Sequence, residues 1–475
     1  MPTNFLHGIE VIEVANNLVN VREVKTGIIG LVGIAPAGPL QKLTLVKNAQ
    51  DAAQFGNTIP GFSIPQALKN IQAQGAGTVL VINVFDPTTH SKEKIEPATI
   101  LSEYTPLSEY PISSVQVVDA EDAPLPYVEG KDFVIDNLGR FRVLGGRIPE
   151  STAVKFKYKY LDSQSITQST IIGSVSANGT RTGMKIFDLA FQKFGFNPKI
   201  IIAPAYSHQK SVCDEMTLVA DRLKAIALID CEPGKTVNEI LESRGDPTNA
   251  FSTASQRVVL LYPYLLSYDE SKDDGIETTD TNTSFPYSAY FAGVIAATDN
   301  KLGYWYSPSN KAINGVTGIA QDITMSINDE NADSNMLNAA GITTIFNFYG
   351  SGYRTWGNHN SSYPSNQVPN NFISIRRIAD VVHESLVYAS IPYIDQPLTK
   401  AVIDDMRHSG NDFINVLIGR NALLEGSKIV YSADDNPATE LAKGIVKFRF
   451  QIMGPTPAQT IVYLSELNTS LYDQL

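Results

Sequence analysis

Cysteine is nearly missing from this 475-residue chain, which carries only Cys213 and Cys231. Two thiols, on a predicted helix and a predicted strand end, exclude a disulfide framework and leave almost nothing for a zinc site. Histidine is scarce as well, with six residues scattered at positions 7, 90, 208, 359, 383 and 408. The pair His383-Glu384 lacks the second histidine one turn later that a zinc-peptidase helix requires. Positive charge is in deficit, 37 Lys and Arg against 49 Asp and Glu, for a net charge of -12. The densest basic positions, Arg376-Arg377 and the alternating Lys155, Lys157 and Lys159, are too few to neutralise a phosphate backbone, so nucleic acid is not an expected partner. No apolar run is long enough to span a bilayer, and Met1-Pro2-Thr3-Asn4-Phe5 shows neither the basic nor the apolar part of an export signal. Direct membrane insertion is therefore not expected. The sequons at Asn178, Asn282, Asn360 and Asn468 carry no information without a secretory route.

Catalytic patterns are missing too. The chain has no Gly-x-Ser-x-Gly elbow and no His-Glu-x-x-His. Glu232-Pro233-Gly234-Lys235-Thr236 follows a predicted strand, where a phosphate loop belongs. The position five residues before Gly234 is Ile229 rather than glycine, so the loop is too short to wrap a phosphate. A turn at Gly234 and a helix start at Thr236 is the simpler reading. The acidic clusters Asp269-Glu270, Asp273-Asp274 and Asp434-Asp435 do not follow calcium-loop spacing and read as solvated turns. No catalytic, cofactor-binding or metal-ligating residue is expected.

What the chain does have is an α/β rhythm. Hydrophobic residues make up 43% and charged residues 18%, the mark of a folded protein, and the length predicts more than one domain. Gly27-Ile28-Ile29-Gly30-Leu31-Val32-Gly33-Ile34-Ala35 reads as a buried strand. An amphipathic helix over 63–74 follows, with Ser63 as its cap, and then a second buried strand over 78–84. Short alternating runs at 115–118, 133–135, 140–144 and 153–160, set between Pro, Gly and acidic residues, predict a small antiparallel module. From 182 onward helices (184–194, 211–224, 237–243, 288–298) alternate with strands (199–203, 225–229, 258–262, 343–349). The last part predicts helices at 373–388 and 399–424 and a strand at 429–431. The expected fold is an α/β core with a doubly wound, mostly parallel sheet, an inserted antiparallel β domain and an α+β C-terminal domain ending in a β-hairpin.

Both ends are strand-like without an adequate partner nearby. Ile9, Glu10, Val11, Ile12, Glu13 and Val14 alternate with period two. Ile445, Val446, Lys447, Phe448, Arg449 and Phe450 alternate likewise, as do Ile461, Val462 and Tyr463 beyond Gly454-Pro455-Thr456-Pro457. Unpaired strand edges are templates for another chain, so these fifteen residues are the expected inter-subunit pairing positions. Glu10 and Glu13 could face Lys443, Lys447 and Arg449, although exposed pairs contribute under about 1 kcal/mol and backbone pairing must carry the strength.

Several separated segments carry a family likeness: residues 5–11 and 28–36, Pro286-Tyr287-Ser288-Ala289-Tyr290-Phe291-Ala292-Gly293, Trp305-Tyr306-Ser307-Pro308-Ser309-Asn310-Lys311, Gly352-Tyr353-Arg354-Thr355-Trp356-Gly357-Asn358, and 372–380. Together they resemble the contractile tail sheath proteins of bacteriophages and related contractile injection particles. The resemblance spans nearly the whole chain and is strongest after about residue 285. It implies a structural subunit, not an enzyme, that stacks as hexameric rings around an inner tail tube protein and contracts, with baseplate and tail terminator proteins as further partners. The location implied is a virion tail or injection particle assembled in the host bacterial cytoplasm. The organisation implied is a linker arm (1–22), a first core segment (23–100), the inserted β domain (101–165), an α/β core of subtilisin-like arrangement (166–345) and a C-terminal sheath domain (346–475). Tube contact is expected from the 399–424 helix through Lys400, Arg407 and Arg420, against its plain reading as a core helix with a solvated face. Two other classes stay open: a doubly wound hydrolase or nucleotide-binding enzyme without a recognisable motif, and a receptor-binding or adhesion module.

Overall fold

The structure, a computed structural model, describes residues 21–101, 103–136, 138–273, 280–347, 350 and 352–474. The Gly-punctuated run forms β1 (Ile29–Gly33), every residue of it buried. After β2 (Thr44–Val46) and helix α1 (Ile64–Ala73) comes β3 (Val79–Asn83), parallel to β1 in the register Ile29↔Val79 to Gly33↔Asn83. Ser63 does not cap α1. Its hydroxyl accepts from Ile34 N at 3.2 Å, in the space that a side chain at Gly33 would fill, so the serine ties the end of β1 instead.

The next segment is the antiparallel module: β4 (Ser91–Thr99), β5 (Gln116–Val118), β6 (Phe133–Ile135), β7 (Phe141–Val143) and β8 (Ala153–Leu161). The strand β4 pairs with β8 along its full nine residues, and β5 takes the other side of β8. The module has its own core, in which Phe141 stacks with Phe133 at 4.5 Å and meets Phe156 at 4.6 Å. The edge strand β4, Ser-Lys-Glu-Lys-Ile-Glu-Pro-Ala-Thr, was not expected, because its charges and Pro97 hide its strand character. Those same residues protect an edge from adding foreign strands.

The parallel sheet then grows the other way from β1 through β9 (Ile200–Ile202), β10 (Ile226–Asp230) and β11 (Val258–Leu261), with helices α2 (Lys210–Leu223) and α3 (Val237–Ser243) between them. Beyond β12 (Leu265–Tyr268), β13 (Asn282–Phe285), helix α4 (Tyr287–Lys301), β14 (Gly318–Ile319) and helix α5 (Asp333–Ala339), the strands β15 (Ile342–Asn347) and β16 (Tyr353–Trp356) complete it. The order is β16-β15-β11-β10-β9-β1-β3-β2, parallel except for the antiparallel edges β2 and β16. Helices cover both faces, as a doubly wound sheet requires. Met216, Val219 and Ile240 pack on one face, and Leu68, Ile71, Tyr290, Phe291 and Ile295 on the other. Because α4 is buried from Tyr287 to Thr298, it reads as apolar all round rather than amphipathic. It approaches α1 closely at Gly293, where a Cβ would stand 2.7 Å from Gln74 Cγ.

Helices α6 (Ile373–Ser390) and α7 (Lys400–Gly419) and strands β17 (Lys428–Val430) and β18 (Arg449–Gln451) end the element series. The chain divides into two compact units: residues 25–378 rejoined by the tail from Thr456 on, and residues 379–455 with the chain before Lys25. The expected terminal β-hairpin does not form between 445–450 and 461–463. Instead β18 pairs antiparallel with β17, Lys428↔Gln451 to Val430↔Arg449, and residues 452–468 take no regular structure. Pro455 and Pro457 account for this, since both lack an N–H and neither supplies the positive φ that a tight hairpin turn needs.

One buried ion pair within the larger unit joins α4 to the first turns of α6. Arg377 at the start of α6 and Asp299 near the end of α4 are both almost wholly buried and meet through two parallel contacts, one of them 2.7 Å. Removing one partner strands a buried charge. The substitution Arg377→Ala should cost about 3–5 kcal/mol, read as a lower midpoint in urea unfolding, whereas Lys443→Ala, in an exposed pair with Glu440, should cost under about 1 kcal/mol.

Candidate assembly surfaces

The C-terminal tail is the least satisfied part of the described chain. Ile461, Val462, Tyr463 and Leu464 are 67% to 96% exposed, and Leu467 and Tyr472 are exposed with them. A run of this kind, without regular hydrogen bonding or charge, is a surface waiting for cover. Its root is fixed, however: His359 Nε2 lies 2.9 Å from Gln459 Oε1. The His359 ring is buried and stacked between Tyr363 (4.1 Å) and Phe372 (4.7 Å). Burial lowers its pKa and keeps the imidazole neutral.

The other expected pairing positions behave differently from one another. Arg449 and Phe450 lie in β18. Phe450 is exposed yet sets its ring against His383 at 5.6 Å, and Phe448 meets Tyr431 at 5.9 Å. Ile445 is exposed, and Lys447 is held by Asn436, whose side chain accepts from Lys447 N (2.7 Å) and donates to Lys447 O (2.9 Å). The cations proposed to meet an acidic arm are engaged within the chain: Lys443 and Lys447 with Glu440, and Arg449 with Asp435 through two short contacts. Ile9, Glu10, Val11, Ile12, Glu13 and Val14 lie outside the described residues. Of the tube candidates, Lys400 is exposed in the first turn of α7, Arg407 pairs with Asp404 at 3.2 Å, and Arg420 pairs with Glu23 at 2.8 Å.

The nearest thing to an active site is a polar cluster at the C-terminal ends of the strands. Asp230, fully buried at the end of β10, accepts from Ser288 N (2.7 Å), Ser288 Oγ (2.5 Å) and Ser207 Oγ (3.1 Å), and Ser207 Oγ accepts from Asp230 N (2.9 Å). Both serines are completely buried, so no substrate reaches them, and the cluster fastens the first turn of α4 to the sheet. A cavity of about 380 Å³ nearby, at the switch point where a doubly wound enzyme binds its ligand, has Phe62, Pro204, Tyr264, Phe285 and Pro286 in its wall together with the polar side chains of Gln66, Asn70, Asp269 and Lys272. In the former phosphate-loop candidate, Thr236 caps α3 in a box with Glu239, and Lys235 pairs with Glu239 and Glu232. Cys213 and Cys231 are buried free thiols, and among the described residues no group of acidic, His or Cys side chains could hold a metal.

A family model, the phage tail sheath protein central domain, matches residues 179–361. A tail sheath protein of Burkholderia phage BcepMu is 38% identical over 475 residues, covering 99% of this chain and 98% of that protein. The chain belongs to the phage tail sheath family. The tail sheath protein of Escherichia phage P2 is more distant, 26% identical over 64% of this chain and 74% of that one. Solved structures share the sheath fold: the anti-feeding prophage helical sheath in its contracted state (TM-score 0.59, 15% identity, 98% of this chain and 100% of that one) and the sheath complex of the extracellular contractile injection system PVC, also contracted (TM-score 0.58, 13% identity, 99% and 100%). Sheath membership makes this a structural subunit of a phage tail or related injection particle rather than an enzyme, and the buried serines stand as parts of a packed core.

The Asp230 cluster makes a pH prediction. Burial pushes the carboxyl up to about 6, against the pull of its serine hydrogen bonds. The unfolded carboxyl titrates near 4, so the folded chain holds more protons between the two values. Its stabilising share is full below about pH 4 and is lost as pH rises through 6. Relative to Asp230→Asn, the parent should lose on the order of 3 kcal/mol between pH 4 and 7 in urea unfolding. A constant difference between the two proteins across that range would contradict this assignment.

Proposed function

We propose that the chain polymerises into a sheath of stacked hexameric rings around an inner tail tube, and that the sheath shortens to drive the tube into a target envelope. The observation that carries this reading is the bare apolar tail of a chain that aligns end to end with a tail sheath protein. A strand edge kept exposed for a neighbour gives main-chain hydrogen bonds between subunits while rigid cores are free to rotate. Fifteen residues supply the pairing: 9–14, 445–450 and 461–463. The alternative, an enzyme on the doubly wound sheet, is not favoured, because the Ser207, Asp230 and Ser288 cluster is sealed from solvent.

Energy for shortening comes from packing. If the short lattice buries a few hundred Å² more apolar surface per subunit, about 25 cal/mol per Å² yields several kcal/mol each, summed along the tail, without nucleotide hydrolysis. The extended lattice persists behind a kinetic barrier. Tube contact is weak and breakable, made by α7 through Lys400 and Arg407 and by Arg420 at its C-terminal cap. The in-chain pairs of Arg407 and Arg420 are exposed enough to be exchanged at little cost for an acidic wall. Baseplate and terminator proteins close the two ends of the array, and assembly takes place in the host cytoplasm.

Electron microscopy of the purified protein tests the proposal: tubular polymers are expected, and discrete monomers at high concentration would contradict it. Removing residues 1–14 should leave a folded, soluble monomer that no longer polymerises, and early melting of that variant would assign the arm to the fold instead. Replacing 91–161, the whole module from β4 to β8, whose ends pair as Ser91↔Leu161, with a short linker should leave polymerisation intact, since the module has a separate core.

A further inference from the structure

The cavity at the switch point holds hydrogen-bonding groups that the chain itself leaves open. One side of it is a single face of the start of α1, where Ser63, Gln66, Ala67 and Asn70 follow at helical spacing. Gln66 and Asn70 are each only 5% exposed. Gln66 Nε2 donates to Asn70 Oδ1 (2.8 Å), which leaves Gln66 Oε1 a buried acceptor without a donor. Turning the amide over does not cure this, because Gln66 Oε1 would then accept from Asn70 Nδ2 and Asn70 Oδ1 would be the oxygen left open. Buried polar atoms are nearly always satisfied, so an open one in a cavity wall points to something that enters the cavity.

Asp269 lines the same cavity from just beyond β12. The sequence placed it in a solvated turn, yet it is 6% exposed. Ser271 donates to its Oδ1 twice, from N (3.0 Å) and from Oγ (2.6 Å). Among the described residues Oδ2 has no recorded bond, and no cation is paired with the carboxylate. The one cationic side chain in the wall, Lys272, belongs to an exposed residue and donates to Asn282 O (3.3 Å) instead. A carboxylate taken out of water is ordinarily matched by a positive charge. Two buried acceptors, one of them anionic, exclude an anion as the occupant, and they are too few to coordinate a bare divalent ion. The rings of Phe62, Tyr264 and Phe285 stand in the same wall and suit an apolar body, with faces that attract a cation.

We propose that this cavity binds a small organic cation, a guanidinium group on an apolar stem, with its N–H groups donated to Gln66 Oε1 and Asp269 Oδ2 and its stem among the aromatic rings. A guanidinium carries several donors in a planar fork and serves two separate oxygens better than a point-like ammonium does. The volume of about 380 Å³ admits such a molecule. Because the wall is shared between α1 and the β12–β13 segment, an occupied site ties the two together and stabilises the chain by mass action. The same chemistry is offered by a free guanidine and by an arginine side chain of a second copy. The site does not depend on the sheath reading.

The test is calorimetric titration of the full-length protein with butylguanidine and with butylurea, which is close in shape and uncharged. Saturable binding of one butylguanidine per chain is expected, with butylurea at least tenfold weaker. Asp269→Asn keeps an acceptor for Ser271 and removes the charge. It should weaken butylguanidine at least tenfold and, because a buried charge without a counter-charge is gone, raise the thermal midpoint of the free chain, which loss of a merely structural carboxylate would lower. Gln66→Met, similar in length but without the open oxygen, should weaken binding severalfold and decides the matter if the first variant does not fold. No saturable binding at millimolar butylguanidine, equal binding of butylurea, or full affinity in either variant overturns the proposal. Titration of assembled polymers identifies the source: binding that persists assigns the site to a free ligand, and binding present in monomers but closed in polymers assigns it to a second copy's arginine.

Discussion

Everything in the larger unit is referred to β1. It is the strand from which the sheet is built in both directions, parallel to β3 on one side and β9 on the other, with no residue accessible to water. A strand in that position has no tolerance for polar side chains or for bulk where other elements cross it. Its glycines show the second limit: Gly30 lies against Phe187 and Pro198, and Gly33 against the Ser63 hydroxyl that bonds to the following peptide. Once β1 is placed, α1 is fixed through Ser63, α4 through its contact with α1 at Gly293, and the first turn of α6 through the Arg377–Asp299 pair at the far end of α4. The order of dependence runs from a close-packed backbone outward to charged anchors.

The parts of the fold that periodicity reveals are those whose burial is uniform. β1, β3, β9, β10 and β11 are nearly pure aliphatic runs, and α3 announces itself by Thr236 and Glu239. Elements governed by one covered face or by remote partners are less visible. β4 is half charged because only one side of it meets the module core, and the ribbon β17–β18 joins residues some twenty positions apart across a helical turn at Ala438–Leu441. The partners of Asn436, His359 and Gln459 are set by tertiary position, and no local pattern in the sequence marks them. Alternation did mark 445–450 and 461–463 as strand-like, but a period of two does not say which edge a strand will find. Here the prolines at 455 and 457 were the available hint that the two runs do not meet each other.

Absence of chemistry is also structural information. Where a doubly wound enzyme would place a phosphate loop or a nucleophile, this chain has a helix cap and two sealed serines bound to a buried carboxyl. The polar groups at the carboxyl ends of the strands are spent on holding α4.

The return of the tail to the larger unit has a mechanical meaning. Residues 379–455 form their own body, yet the chain beyond Pro455 is tied at Gln459 to His359, an imidazole clamped between two aromatic rings on the sheet-bearing body. Tension applied to residues 460–464 therefore follows a load path into the eight-stranded slab and bypasses the three-residue ribbon, which would peel open one pair at a time under the same pull.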